Sequence, residues 1–234
     1  MRSIMWLSIL AACGDNLAAP PGLDSTFDDP RSQFFGTVVG LQPIPGAGTL
    51  PVAGAEVCVD EICGSTNADG TFILVGGGAH ESVFLVRAPG YLPSVYAVTG
   101  GPTGDRNLGS LLALLPTTIE DSAAAFHRDP MLASRGEVLV LARQFDTGAV
   151  ELAIDGVVTS YLDDNQLPDP TRTTLSKAGG ASFFAVAPGE ATLRSTVGTC
   201  DANLDGWHGA APGEIRIPVI VGHLTIVQPF CVGD

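Results

Sequence analysis

From Phe34 onwards, short runs rich in β-branched and aromatic residues alternate with turn sequences. FFGTVVGL, GAEVCV, CGST, TFILV, SVFLVRA, SVYAVT and LGSLLALL are separated by PIPGAGTLP, NADG, GGGAHE, APGYLP and GGPTGD. Strands at this spacing, each closed by turn chemistry, predict an antiparallel β-sandwich over residues 34–115. A second series begins at Gly136 with GEVLVLAR, VELAI, VVTSYL, TRTTLS, ASFFAVA, EATLRSTV, IRIPVIV and HLTIVQPF, and predicts another sandwich over 135–234. Between them, 116–134 reads as a linker carrying one short helix. Thr117 and Glu120 have capping-box spacing, Pro130 closes the segment, and His127 is expected on an exposed side. The expected class is all-β: two tandem antiparallel sandwiches of transthyretin-like or immunoglobulin-like type.

Charge narrows the partners. The formal net charge is −14, and Lys177 is the single lysine. Such a surface repels phosphate backbones, so nucleic acid is not an expected partner. It keeps the protein soluble and tolerates cations, of which Ca²⁺ is the one left open as a cofactor.

The N-terminus carries a processing signal. In MRSIMWLSILAAC one arginine precedes an apolar stretch, Ile4 to Leu10, that is too short to span a bilayer. It ends in Leu10-Ala11-Ala12-Cys13, which resembles the lipobox of bacterial lipoproteins, cut before the cysteine. The resemblance implies a signal peptide over 1–12, lipid on Cys13, and a cell-envelope location on the outer membrane, in the periplasm or at the surface. Residues 13–33, polar and proline-containing, then form a tether with an r.m.s. reach of roughly 25 Å.

Within 34–115 a connected series of motifs resembles the carboxypeptidase regulatory-like domain. It comprises a Gly-x-Val strand, Pro51-Val52-Ala53-Gly54-Ala55-Glu56-Val57, Thr66-Asn67-Ala68-Asp69-Gly70-Thr71-Phe72 and Ala88-Pro89-Gly90-Tyr91. The resemblance implies a transthyretin-like sandwich in an accessory role rather than peptidase activity. Asp69-Gly70 supplies the positive φ of a tight hairpin, and Gly90 lets the chain turn so that Tyr91 packs back. Gly179 to Gly189, GGASFFAVAPG, is similar to a run of the same broad class, which suggests a distant repeat.

Five cysteines are an odd number, and lipidation of Cys13 leaves Cys58, Cys63, Cys200 and Cys231. In CVDEIC a two-residue turn at Asp60-Glu61 places Val59 opposite Ile62 and Cys58 opposite Cys63, at a distance that a disulfide spans. A zinc site needs further Cys or His at ligand spacing, and a thioredoxin-type pair needs two intervening residues. Of the three connectivities open to four cysteines, Cys58–Cys63 with Cys200–Cys231 keeps each bridge within one module.

The catalytic inventory is nearly empty. The chain contains no Gly-x-Ser-x-Gly, no His-Glu-x-x-His and no phosphate-binding Gly-x-x-x-x-Gly-Lys, and His80, His127, His208 and His223 do not share ligand spacing. Asp201-x-Asn203-x-Asp205-Gly206 matches the first half of a calcium loop, although Pro212 stands where the bidentate glutamate belongs. YLDDNQLPDP, 161–170, is a second acidic loop. Sugar stacking would fall to Trp207 and Tyr161, because Tyr91 and Tyr96 read as turn and core anchors. The sequence therefore points to a non-catalytic, lipid-anchored envelope protein with a structural or adhesive role. Its partners would be the membrane, through the lipid, and an envelope protein or glycan. The alternative is a Ca²⁺-assisted carbohydrate- or peptide-binding module using residues 201–208.

Overall fold

The computed structural model describes residues 32–41, 49–59, 61–76, 81–99, 105–141, 143–144, 148–177, 179–202 and 206–233. The segment 1–12, Cys13 and the tether up to residue 31 lie outside them.

The chain is all-β with one helix. The first half holds β1 (Ser32–Leu41), β2 (Thr49–Pro51), β3 (Glu56–Val59), β4 (Ile62–Ser65), β5 (Thr71–Gly76), β6 (Glu81–Arg87), β7 (Ser94–Thr99) and β8 (Arg106–Ala113). Helix α1 (Pro116–Ala125) follows. The second half opens with β9 (Gly136–Val140), β10 (Arg143–Gln144), β11 (Glu151–Ile154), β12 (Thr159–Tyr161) and β13 (Ala181–Val186). It continues with β14 (Gly189–Val197), β15 (Thr199–Asp201), β16 (Trp207–His208), β17 (Glu214–Val219), β18 (Leu224–Val227) and β19 (Phe230–Val232).

Strand alternation sets the inner faces. In β6, Ser82, Phe84 and Val86 are buried while their neighbours are not, and in β17 Ile215, Ile217 and Val219 repeat the pattern. The Asp69-Gly70 hairpin forms as expected. Gly70 has φ +79°, and a Cβ there would sit 2.7 Å from the Val38 carbonyl oxygen. The Asp69 carboxylate accepts from the Thr71 hydroxyl and amide, which holds its pKa below the ordinary value. Tyr91, next to Gly90, lays its ring against Gly40, where a Cβ would come within 2.8 Å of it. Tyr96 is a core anchor, fully buried with its hydroxyl donating to the Leu112 carbonyl at 2.7 Å.

The two halves are joined more tightly than a tandem array requires. One eight-stranded sheet, in the order β12-β13-β9-β18-β7-β6-β3-β4, runs through both. Its joint is β18, which pairs in parallel with β9 on one side and with β7 on the other. The expectation of purely antiparallel pairing fails here, and it fails again at β1–β8 and β10–β19, which are parallel. The cause is long-range closure, because strands far apart in the chain are not bound to the geometry of a hairpin.

This shared sheet has a core on each face. On one face, Leu139 and Leu141 from the β9 region and Leu224 and Ile226 from β18 join Phe34, Val57, Phe84 and Tyr96. The Phe34 and Phe84 rings meet edge to face, with centroids 4.9 Å apart. The cover on that side is the sheet of β2, β1, β5 and β8, together with Ile119 and Ala123 of α1. On the other face, Val138, Val140, Phe183 and Val227 pack with Leu152, Leu193, Ile215 and Ile217 of the sheet β11-β14-β17-β16. β9 is accordingly buried along its whole length, as expected of a strand covered on both sides.

Helix α1 starts differently from the expectation. Leu115 is the N-cap, Pro116 begins the helix with its φ pre-set, and no side chain caps it, so Thr117 and Glu120 form no capping box. Its C-terminus closes at His127, not Pro130. His127 adopts φ +55° and its amide donates to Ala124, while Arg128 donates to Ala123 at 2.8 Å, a Schellman closure. The expected strand TRTTLS is also absent. Asp169 draws the Thr171 hydroxyl and amide onto its carboxylate, and Pro168 and Pro170 flank it, so residues 171–176 are turn and loop.

Both disulfides form as expected. Cys58 faces Cys63 and Val59 faces Ile62 in the β3–β4 hairpin, with the cysteine Cα atoms 4.0 Å apart. Cys200 faces Cys231 between β15 and β19, with Cα atoms 4.1 Å apart. Opening Cys200–Cys231 with paired alanine substitutions should lower unfolding free energy by about 3.5 kcal/mol, and opening Cys58–Cys63 by about 2 kcal/mol, from the loops each closes. Urea titration of the two variants checks the order. Equal losses would contradict the loop-length argument.

Candidate functional site

Glu137 shows how the fold builds an unusual wall. It lies in β9, in the middle of the shared sheet, and is only 1% exposed. Its Oε1 accepts the Ala185 amide at 3.0 Å. That amide is available because the β9–β13 register shifts between Phe183 and Val186, and Ala185 takes φ +57°. The carboxyl therefore holds a bulge that alanine by itself disfavours. Burial pushes the Glu137 pKa up to about 8; the Ala185 hydrogen bond opposes this shift, and the nearby Asp129 charge adds to it.

The bulge forms one wall of a half-open cleft of about 480 Å³. The β11–β12 turn (Asp155, Gly156), the β13–β14 turn (Ala187, Pro188), Glu190, Thr192 and Arg194 of β14 and the segment with Met131 and Arg135 also line it. Met131 also has positive φ, at +52°. Charges in the lining are unevenly matched. Arg194 binds Asp155 at 2.6 Å and Glu214 at 3.1 Å, and Glu190 binds Arg216 at 3.0 Å. The Arg135 guanidinium has no partner among the described residues; only its backbone is engaged, the amide donating to the Met131 carbonyl at 3.0 Å and the carbonyl accepting from the Gly222 amide at 2.9 Å.

The residues singled out from sequence do not converge here. Asp201 lies exposed in β15, while Asn203 and Asp205 fall outside the described residues. In the second acidic loop, Asp163 accepts from the amides of Asn165 and Leu167, so its carboxylate serves the turn. Tyr161 is not a ligand platform. It is 5% exposed, and its hydroxyl accepts the Leu152 amide at 2.8 Å. Burial pushes its pKa up. Trp207 is half-buried, with the Arg216 guanidinium carbon 5.7 Å from its ring centroid. Arg216 donates from Nε to the His208 carbonyl at 3.0 Å and pairs with Glu190 and with Glu81 of β6. Trp207 thus belongs to a clamp between β6, β14 and β17, and one ring face is covered. Glu56, Cys58 and Cys63 lie close together, but both sulfurs are in the disulfide and offer no thiolate.

Sequence reasoning passed over Glu137 and Arg135. A signal for Glu137 was present. GEVLVLA is nearly continuous in apolar residues, the pattern of a strand buried on both faces, so its acid is placed inside. Arg135 carries no comparable signal.

No family model and no curated protein matches the chain. Among solved structures it is similar to a mutant of the shaft pilin SpaA of Lactobacillus rhamnosus GG, at 13% identity and TM-score 0.26, covering 87% of this chain and 99% of that one. It is also similar to GBS52, the minor pilin of Streptococcus agalactiae, at 9% identity and TM-score 0.24, covering 87% and 96%. For the major pilin subunit of Bacillus cereus the figures are 7% identity and TM-score 0.24, covering 85% and 99%. At these values the likeness supports no conclusion about function.

Proposed function

We propose that the chain is a non-catalytic protein of the bacterial cell envelope, lipid-anchored through Cys13, with a structural or adhesive role toward another envelope protein or glycan. The disulfide pattern carries this reading. Two bridges use Cys58, Cys63, Cys200 and Cys231, the chemistry of an oxidising compartment, and Cys13 is the one cysteine of five outside them. The shared sheet supports it as well, because a body cored on both faces of one sheet presents its turns rigidly. The first half would then serve as an accessory sandwich of carboxypeptidase regulatory-like type.

Among the described residues, no helix is long and apolar enough to cross a membrane. Cys13→Ser is therefore expected to move the protein from the membrane fraction to the soluble fraction. Mass spectrometry of the unmodified exported protein should find lipid on Cys13 and nothing upstream. Recovery of residues 1–12 on the exported protein would end the anchoring claim.

A further inference from the structure

We propose that the cleft between the β11–β12 and β13–β14 turns is a binding site for a carboxylate borne on a short apolar chain, with the Arg135 guanidinium as counter-ion. The lining combines apolar walls from Met131, Ile154, Val157, Val186 and Pro188 with four charged residues, Arg135, Asp155, Glu190 and Arg194. Asp155 and Glu190 are each held by an arginine of the protein, Arg194 and Arg216. Arg135 is left unmatched among the described residues. A guanidinium offers a planar fork of donors that fits a carboxylate with two parallel hydrogen bonds. In a chain of net charge −14, a guanidinium with no carboxylate partner among the described residues is a local exception, and it favours an anion.

The backbone gives a second, independent indication. Non-glycine residues with positive φ are uncommon, and of the four among the described residues, His127, Met131, Gln166 and Ala185, two line this cleft. Strain held at the wall of a cavity, and secured at Ala185 by a buried carboxyl, marks a surface whose shape is maintained. Two sources share the required chemistry: the C-terminal residue of a peptide chain with an apolar side chain, and a free short-chain fatty acid.

The test is an NMR titration of the isotope-labelled full-length protein with three probes: N-acetyl-valyl-leucine, its C-terminal amide, and hexanoate. The free-acid peptide is expected to shift the amides of Val186, Ala187 and Thr192 saturably. Arg135→Gln should weaken that binding about tenfold, as should the amide probe, since either change removes a charge-assisted pair. Ala187→Trp, a substitution at an exposed lining position, should block the cleft, and it decides the matter if Arg135→Gln disturbs folding. Hexanoate binding as tightly as the peptide would identify a fatty acid as the source. Binding of the peptide alone would identify a chain terminus. The proposal is overturned if neither acid gives saturable shifts at millimolar concentration, or if the shifts survive both substitutions.

Discussion

Ile226→Ala is expected to destabilise the whole chain by about 4 kcal/mol, and to do so in both halves at once. Ile226 is fully buried in β18, the strand that joins β7 of the first half to β9 of the second. Its side chain belongs to the core made with Phe34, Phe84 and Tyr96, although it comes from the far end of the sequence. Removing three carbons there leaves a cavity that Leu139, Leu224 and the covering sheet can fill only in part. Amide hydrogen exchange is the discriminating measurement. Protection should fall together in β6 and in β14, because opening β18 exposes both. If exchange accelerated only from Gly136 onwards, the halves would be energetically separate despite the common sheet.

The second large effect is a pH dependence. Glu137 has a folded pKa of about 8, against an ordinary value of 4.5. Between these values the folded protein holds a proton that the unfolded chain has released. Stability is therefore fully present below about pH 4.5, declines as pH rises, and levels off above about pH 8. The size is on the order of 5 kcal/mol from the span of the shift. Glu137→Gln keeps an oxygen for the Ala185 amide and removes the titration. The difference in unfolding free energy between the two proteins should change across pH 5 to 9, with the glutamine variant gaining as pH rises. A difference that stayed constant over that range would show that Glu137 is already ionised in the folded protein and that its pKa is not raised.

Much of the local structure was legible in sequence because local chemistry determines it. Cys58 and Cys63 meet because a two-residue turn leaves no other register, and Asp69-Gly70 turns the chain with its own carboxylate and a residue that tolerates positive φ. The shared sheet was not legible. Nothing near Leu224-Thr225-Ile226-Val227 in the sequence reports that its neighbours are Ser94 and Val95 on one side and Glu137 to Val140 on the other. For the site, residue type says less than surroundings. Trp207 and Tyr161 suggested stacking surfaces, but an arginine covers one and the Leu152 backbone engages the other. Charged residues within β-rich segments read as solvent-facing by default, which hid Glu137.

The position of β18 also bears on how the chain reaches its fold. Synthesis delivers β7 early, yet the strand that pairs with it lies about 130 residues further on, a very non-local contact that slows folding. Until Leu224 arrives, β7 and β9 each have an unpaired edge of buried-type residues, the kind of surface that recruits stray strands. Truncations that remove only the last dozen residues would therefore do more than trim a terminus. They would leave both halves with open edges at the seam, and aggregation would be expected during folding.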